Sequence, residues 1–151
     1  YKNVVFMVKQ TIKTVYFAHP FKNEFDGDTA PIIRLIQETF PNCKIVNPFE
    51  LKESHDYRKT FNTNLGIELV NRELEVITEC DLVIGYFVLD YSEDALPHLS
   101  VGTPMELFWA CFNEVPVYLV SNIKHAWLDF CCTKQFSGIY NLLAELKKHY
   151  E

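Results

Sequence analysis

The chain has 151 residues and a formal net charge of −6, and it is 48% hydrophobic and 23% charged. That length suits one domain over residues 1–151, and an acidic chain without a strong basic cluster excludes nucleic-acid polymers and anionic membranes as expected partners. No apolar run reaches membrane-spanning length and no signal peptide is evident, so we expect a cytoplasmic protein. Five cysteines without a Cys-x-x-Cys pair and five scattered histidines indicate reduced thiols, no metal and no cofactor.

Strands and helices are predicted in alternation along the chain. Residues 4–8 are either an edge strand or an appended segment. Compact β-branched and aromatic runs predict strands over residues 14–18, 44–48, 82–89 and 116–120. Helical periodicity predicts helices over residues 31–40, 65–79, 103–113 and 139–149, whereas residues 126–130 are ambiguous. This alternation implies an α/β layered domain, Rossmann-like or flavodoxin-like, with a mainly parallel sheet.

The boundary between the third predicted strand and its helix is chemically distinctive. Gly102 lets the backbone approach a ligand, and Thr103 and Pro104 suit the N-cap and the first position of a helix. Glu106 then falls in the first turn, outside the carboxyl ends of the strands, where open parallel sheets bind ligands. The same Thr-x-x-Glu spacing is that of a capping box, in which Glu106 only closes the helix start. From these residues alone, both interpretations stay open.

Three segments resemble the nucleoside 2-deoxyribosyltransferase family, including its branch of nucleoside 5′-monophosphate N-glycosidases. They occur in the family's order and cover residues 15–21 (VYFAHPF), 73–84 (ELEVITECDLVI) and 100–106 (SVGTPME). With the following helix and strand, the resemblance extends over about residues 13–122. It implies an enzyme that cleaves the N-glycosidic bond of a (deoxy)ribonucleoside or its 5′-monophosphate and passes the sugar to another base or to water.

The resemblance also implies roles for individual residues. Glu106 is the expected nucleophile, which forms a glycosyl-enzyme intermediate. Tyr16 matches the tyrosine that hydrogen-bonds and orients that carboxylate, with an ordinary core aromatic as the alternative. Glu73 stands where the family carries aspartate, and its catalytic role competes with that of an exposed surface glutamate. The implied substrate contacts are His19, Pro20, Phe21, Lys22, Asp90, Ser100, Gly102 and Thr103.

Ser100 bears on the choice of substrate. It stands six residues before Glu106, where the transferases carry aspartate and the monophosphate glycosidases carry serine. A serine hydroxyl can donate to a phosphate that aspartate would repel, and Lys22 stands where that branch has a cation. Pro20 argues the other way, because it removes an N–H donor from the same loop. We therefore expect a 5′-monophosphate to be accepted as a substrate, with base exchange on plain nucleosides as the alternative.

Other functions and the assembly state remain to be tested. Gly-Thr-x-x-Glu also occurs in cytokinin-activating phosphoribohydrolases, although the paired glycines of their signature are missing at residues 99–101. A nucleotide-binding module without catalysis would keep the same fold. The partners that the resemblance implies are a nucleoside or nucleotide, a free nucleobase and further copies of the chain, as a homodimer or larger homo-oligomer. The candidate contact surface is the aromatic tract of Trp127, Phe130 and Phe136.

Overall fold

The computed structural model describes residues 8–20, 27, 29–50, 64–88 and 101–151, with residues 64–66 as backbone alone. Within these ranges five strands form one sheet: β1 Thr14–Ala18, β2 Lys44–Val46, β3 Leu82–Phe87, β4 Val117–Ser121 and β5 Lys134–Phe136. The helices are α1 Thr29–Thr39, α2 Asn64–Thr78, α3 Gly102–Phe112, α4 Ala126–Cys131 and α5 Ile139–His149.

The strand order is β2-β1-β3-β4-β5, and every neighbouring pair is parallel. This is the doubly wound order of flavodoxin-like sheets, with its switch point between β1 and β3. The predicted α/β fold with a parallel sheet is confirmed. The predicted segment over residues 4–8 lies outside the described residues apart from Val8.

Helices cover both faces of the sheet because successive strand residues point to opposite sides. Val15 and Phe17 of β1 join the core beneath α1 and α5. Tyr16 and Ala18 face the other way and join the core beneath α2, α3 and α4. Tyr16 therefore points toward the helix that carries Glu106. No helix in the described ranges is long and apolar enough to cross a membrane.

Two elements differ from the sequence prediction. The ambiguous residues 126–130 belong to α4, whose start is capped by the His125 ring accepting from the backbone N–H of Trp127 at 3.3 Å. Strand β5 was not predicted because its three residues carry no apolar run, and it forms by pairing with the edge of β4. Edge strands need burial on fewer sides, so their sequences signal them weakly.

The start of α3 also corrects a prediction. Val101 already has helical dihedral angles (φ −85°, ψ −34°) and occupies the N-cap without a side-chain hydrogen bond, so the helix begins at Gly102. Thr103 is thus inside the first turn and buried, and Pro104 is the third helical residue instead of the first. The prediction of Thr103 as N-cap is wrong, and so is the capping box that depended on it.

The two ends of the described chain are joined by a short parallel ladder. Gln10 donates its backbone N–H to the carbonyl of His149 at 2.9 Å and accepts from the N–H of Glu151 at 3.0 Å. Ile12 then donates to the carbonyl of Glu151 at 3.1 Å. Residues 10–12 are therefore held against residues 149–151, beside the core under α5.

Candidate active site

A buried hydrogen bond joins Tyr16 on β1 to Glu106 on α3. The Tyr16 hydroxyl donates to Oε1 of Glu106 at 2.8 Å. Tyr16 is fully buried, and Glu106 is only 8% exposed. A buried carboxylate requires donors of this kind, and one fixed by a phenol keeps a defined orientation. The contact that the resemblance implied for this pair is present in the structure.

The topology explains why these two side chains meet. Tyr16 lies on the central strand β1 and pairs in register with Val46 on β2 and Val83 on β3. Glu106 is the fifth residue of α3, which starts after β3 at the carboxyl side of the sheet. The first turn of a helix favours negative charge because its N–H groups are unpaired and its dipole is positive there. Glu106 lies just past that turn, so the prediction that placed it in the first turn is wrong, and its position is set by the carboxyl side of the sheet and by the Tyr16 hydrogen bond.

Close packing fixes the distance between α3 and the sheet. Gly85 of β3 lies under α3, and a Cβ atom built there would be 2.9 Å from Cδ2 of Leu107 and 2.8 Å from Cδ1 of Leu119. Leu107 is fully buried and is the residue next to Glu106. The missing side chain at Gly85 thus allows the helix to approach closely enough for Glu106 to reach the Tyr16 hydroxyl.

Glu73 lies on α2 and is 9% exposed. The alternative interpretation of Glu73 as an exposed surface glutamate is therefore wrong. Its helix is joined to α3 by Trp109, whose indole N–H donates to the carbonyl of Leu74 at 3.0 Å. Glu73 precedes buried Ile77 by one helical turn, so both residues are on the buried side of α2. Glu73 and Glu106 thus lie on two helices that pack against each other.

His19 is packed inside the protein directly after β1. Its ring is 2% exposed and lies 4.9 Å from the rings of both Phe17 and Phe49. Nδ1 is 3.0 Å from the carbonyl oxygen of Phe17, and a carbonyl only accepts, so the proton is on Nδ1. Pro20 is buried as well. These residues shape the start of the loop after β1, and their contact with substrate stays a prediction.

The remaining predicted substrate contacts divide into two groups. Gly102 is exposed and Thr103 is buried, both in the first turn of α3. The others lie outside the described residues, and their roles stay predictions: Phe21, Lys22, Asp90 and Ser100.

Three residues whose hydrogen bonds hold the strands and helices together were not found from sequence. Ser121 ends β4, and its hydroxyl donates to the carbonyl of Phe87 at 2.6 Å and accepts from the N–H of Ile123 at 3.0 Å. Asn47 directly follows β2, and its side-chain oxygen accepts from the N–H of Phe49 at 3.1 Å. Trp109 is the third, through its bond to α2. A polar residue closing an apolar strand was the available signal for Ser121 and Asn47.

Four of the five cysteines do not offer a competing nucleophile. All five are free thiols. Burial is the main cause that raises the pKa of Cys43 to about 11 and the pKa values of Cys80 and Cys132 to about 12, and it raises the pKa of Cys131 as well. These thiols stay protonated at neutral pH and are poor nucleophiles. Among the described residues, no group of three His, Cys, Asp or Glu side chains is arranged to hold a metal ion.

A cavity of about 420 Å³ lies away from Glu106, between β2 and α2. Its polar lining includes Lys44, Glu50 and Glu79. Because it lacks the paired Tyr16 and Glu106 side chains and a helix start, we place the candidate site at the start of α3.

The predicted aromatic contact tract is not one surface. Trp127 and Phe130 are 65% and 69% exposed on α4. Phe136 instead lies on β5, half-buried against the core under α1 and α5. The grouping of Phe136 with the other two is therefore wrong, because residues of a strand and of a helix packed on its opposite face point away from each other.

Comparison with known proteins supports the fold assignment. No protein-family model and no curated protein sequence matches the chain. A conserved protein from Enterococcus faecalis V583 matches with a TM-score of 0.66 and 17% identity, covering 91% of this chain and 99% of the other. A 2-deoxyribosyltransferase from Bacillus psychrosaccharolyticus matches with a TM-score of 0.62 and 18% identity, covering 88% of this chain and 95% of the other. A CMP N-glycosidase from Clostridium botulinum, BcmB, matches with a TM-score of 0.52 and 16% identity, covering 90% of this chain and 99% of the other. The chain therefore has the fold that a 2-deoxyribosyltransferase and a CMP N-glycosidase share, as its three sequence segments predicted.

Proposed function

We propose that this protein cleaves the N-glycosidic bond of a nucleoside or nucleoside 5′-monophosphate, with Glu106 as the nucleophile. The observation that carries the proposal is the buried Tyr16–Glu106 hydrogen bond at the carboxyl side of a parallel sheet. Structures with this fold include a 2-deoxyribosyltransferase and a CMP N-glycosidase, whose activities are of the proposed kind. The sequence resemblance supports the same reaction independently of the geometry.

The proposed chemistry follows the retaining route of glycosidases. A Glu106 carboxylate oxygen bonds to the anomeric carbon as the bond from that carbon to the base nitrogen breaks, and the base leaves with the electron pair and takes up a proton. The negative carboxylate stabilises the oxocarbenium-like transition state. A second base or a water molecule then attacks the same carbon, loses a proton and releases Glu106 as a carboxylate.

Tyr16 and Glu73 have supporting roles in this proposal. The Tyr16 hydroxyl holds Oε1 of Glu106, which limits the rotation of the nucleophile and favours a geometry close to attack. Glu73 is buried on the neighbouring helix and contacts the sugar or the base of the bound substrate. Its longer side chain, compared with the aspartate of the family, reaches further from α2.

The first experiment is a substrate panel. The protein is incubated with nucleosides and their 5′-monophosphates, with and without a free acceptor base, and the products are separated by chromatography. Glu106→Gln should abolish base release and leave the fold intact. The matched control is Glu75→Gln, which makes the same change at an exposed position of α2. Equal activity of the Glu106→Gln variant and the parent would refute the nucleophile assignment.

The products separate the alternatives. A new nucleoside in the presence of acceptor base identifies a transferase, and free sugar identifies a hydrolase. In a rapid quench, the parent should carry a glycosyl adduct on the peptide containing Glu106, visible by mass. Adenine released only from adenine nucleotides would favour a phosphoribohydrolase. Tight nucleotide binding without any base release would mean a binding module.

A 5′-phosphate preference is part of the proposal and rests on Ser100 and Lys22, by the sequence argument alone. Ser100→Asp adds a negative charge near the expected phosphate position, so turnover of monophosphates should fall far more than turnover of nucleosides. Equal losses for both substrates would contradict a phosphate site at Ser100.

A further inference from the structure

Two thiols meet where α3 packs against α4. Cys111 lies in the last turn of α3, and Cys131 is the last residue of α4. The Cys111 thiol donates at 3.9 Å to the backbone carbonyl of Phe130, which belongs to the peptide bond that leads into Cys131. The two helices also contact each other through the rings of Phe108 and Trp127, whose centroids are 6.2 Å apart. Each helix thus brings one cysteine to the contact between α3 and α4.

The two sulfur atoms are themselves neighbours. Burial is the main cause that raises the pKa of the Cys131 thiol, and Cys111 raises it further through its charge and through a hydrogen bond between the two side chains. Both cysteines are free thiols in this structure. Two free thiols within hydrogen-bonding reach of each other can form a disulfide without a large movement of the backbone.

The two thiols differ in their exposure to solvent. Cys111 is partly exposed, whereas Cys131 is only 6% exposed. A reagent from solution therefore reaches Cys111 first, and Cys131 reacts with a group that is already bonded to Cys111. An accessible cysteine next to a second, resolving cysteine is the arrangement found in redox-sensitive proteins.

Cys132 is the third cysteine of this region, and its surroundings differ from those of the pair. It follows α4 with an extended backbone (φ −93°, ψ 135°) and packs against the core that contains Tyr16. A bond between Cys132 and the adjacent Cys131 is disfavoured, because neighbouring Cα atoms are about 3.8 Å apart and a disulfide needs about 4.4–6.8 Å. Cys111 and Cys131 are therefore the two thiols that the contact between α3 and α4 pairs.

We propose that Cys111 and Cys131 form a redox-sensitive dithiol site, which takes a small-molecule disulfide as its oxidant and closes into a disulfide between α3 and α4. The Cys111 thiol loses its proton to water and attacks one sulfur of the small disulfide, whose S–S bond breaks and releases one small thiol. The Cys131 thiol then loses its proton and attacks the Cys111 sulfur, which releases the second small thiol. The protein dithiol is oxidised by two electrons, and the small disulfide is reduced to two thiols.

The cross-link affects the helix that carries Glu106. It closes a loop of about 20 residues and joins the end of α3 to the end of α4, so it restricts the unfolded chain. We therefore expect the oxidised protein to have a Tm several degrees above that of the reduced protein. Thiols remain reduced in a reducing compartment, so the bond forms only when small disulfides accumulate.

The test measures peptide masses from the whole chain, so its outcome does not depend on the proposed enzymatic activity. The reduced protein is incubated with oxidised glutathione at mildly alkaline pH, the remaining thiols are blocked, and the protein is digested with trypsin and a glutamate-specific protease. Cys111 then lies in the peptide of residues 107–114, and Cys131 and Cys132 lie in that of residues 125–134. We expect these two peptides to be joined by a disulfide that a reductant cleaves. Five free thiols after this treatment, or a disulfide at another pair, would overturn the proposal.

Three single variants separate the roles of the thiols. Cys111→Ala should take up no glutathione and form no disulfide. Cys131→Ala should keep glutathione on Cys111 as a stable mixed disulfide, because the resolving thiol is missing. Cys132→Ala is the matched control next to the pair, and it should form the same cross-link as the parent.

Circular dichroism checks that each variant is folded, and the peptide masses of the parent identify the pair without any variant. Loss of the cross-link in Cys132→Ala, or glutathione uptake by Cys111→Ala equal to that of the parent, would contradict the assignment of Cys111 and Cys131. A Tm of the oxidised parent at or below that of the reduced parent would mean that the bond forms only when α3 and α4 are pulled out of their packed positions, which would also overturn the proposal.

Discussion

The hydrogen bond between Tyr16 and Glu106 predicts a specific loss of stability when the hydroxyl alone is removed. Tyr16→Phe keeps the fully buried ring and deletes the donor to Oε1 at 2.8 Å. Hydrogen bonds to charged groups contribute about 1.5–3 kcal/mol, so we expect the free energy of unfolding to fall by about that amount. For a chain of this length, each kcal/mol lowers Tm by roughly 2–4 °C.

Tyr118→Phe is the matched control for this prediction. Tyr118 lies on β4, is 7% exposed and hydrogen-bonds to Tyr150, so the same atom is removed from a buried tyrosine with a neutral partner. Neutral bonds contribute about 0.5–1.5 kcal/mol, so Tyr118→Phe should destabilise the protein less than Tyr16→Phe. Urea unfolding followed by tryptophan fluorescence measures both changes.

The charge of Glu106 provides the decisive comparison. In a Glu106→Gln background the acceptor is a neutral amide oxygen. There, Tyr16→Phe should lower the free energy of unfolding by about 1 kcal/mol less than it does in the parent. We also expect Tyr16→Phe to lower kcat about 10–100-fold, because the nucleophile loses its fixed orientation. Tyr16 would be only a core aromatic if Tyr16→Phe and Tyr118→Phe lowered the free energy of unfolding equally. The loss caused by Tyr16→Phe would then also be the same in the Glu106→Gln background.

Two further predictions concern other parts of the fold. Gly85→Ala places a methyl group within 3 Å of two leucine side chains between β3 and α3, so it should destabilise the protein by about 1–3 kcal/mol in urea unfolding; an unchanged midpoint would show that α3 can move away freely. Hydrogen bonds from Lys134 and Lys148 are the main cause that lowers the pKa of Glu145 from 4.5 to about 2. Because the folded pKa is the lower one, this stabilisation is complete above about pH 4.5 and is lost as the pH falls toward 2. Glu145→Gln should therefore flatten the dependence of stability on pH in that window, and a profile identical to that of the parent would contradict the assignment.

The sequence predicted the elements that depend on apolar patterning. Strand β3 is apolar throughout because it is buried on both faces, and α5 has the same bounds in the prediction and the structure. Glu106 could be found because its place after a buried strand and near a helix start follows from topology. Strand β5 could not be predicted, since it exists through pairing with β4 and not through its own composition.

The contacts of the candidate site were harder to predict than its residues. Tyr16 and Glu106 are 90 residues apart, and their contact depends on the register of β1 against β3 and on the space above Gly85. Residue patterns of either segment do not contain that register. Only the family resemblance paired the two side chains. The burial of Glu73 likewise depends on how α2 packs against α3, through the Trp109 bond to Leu74.

The parallel ladder between residues 10–12 and 149–151 has a consequence for biosynthesis. On the ribosome, residues 10–12 are made before the five strands, but their backbone partners are not made until nearly 140 residues later. Sheet pairing can start earlier, because β1 gains β2 and then β3 during synthesis. The backbone contacts of residues 10–12 are thus among the last to form within the described fold. A nascent chain stalled after β4 would carry its Gln10 segment unpaired and open to chaperones or proteases until translation resumed.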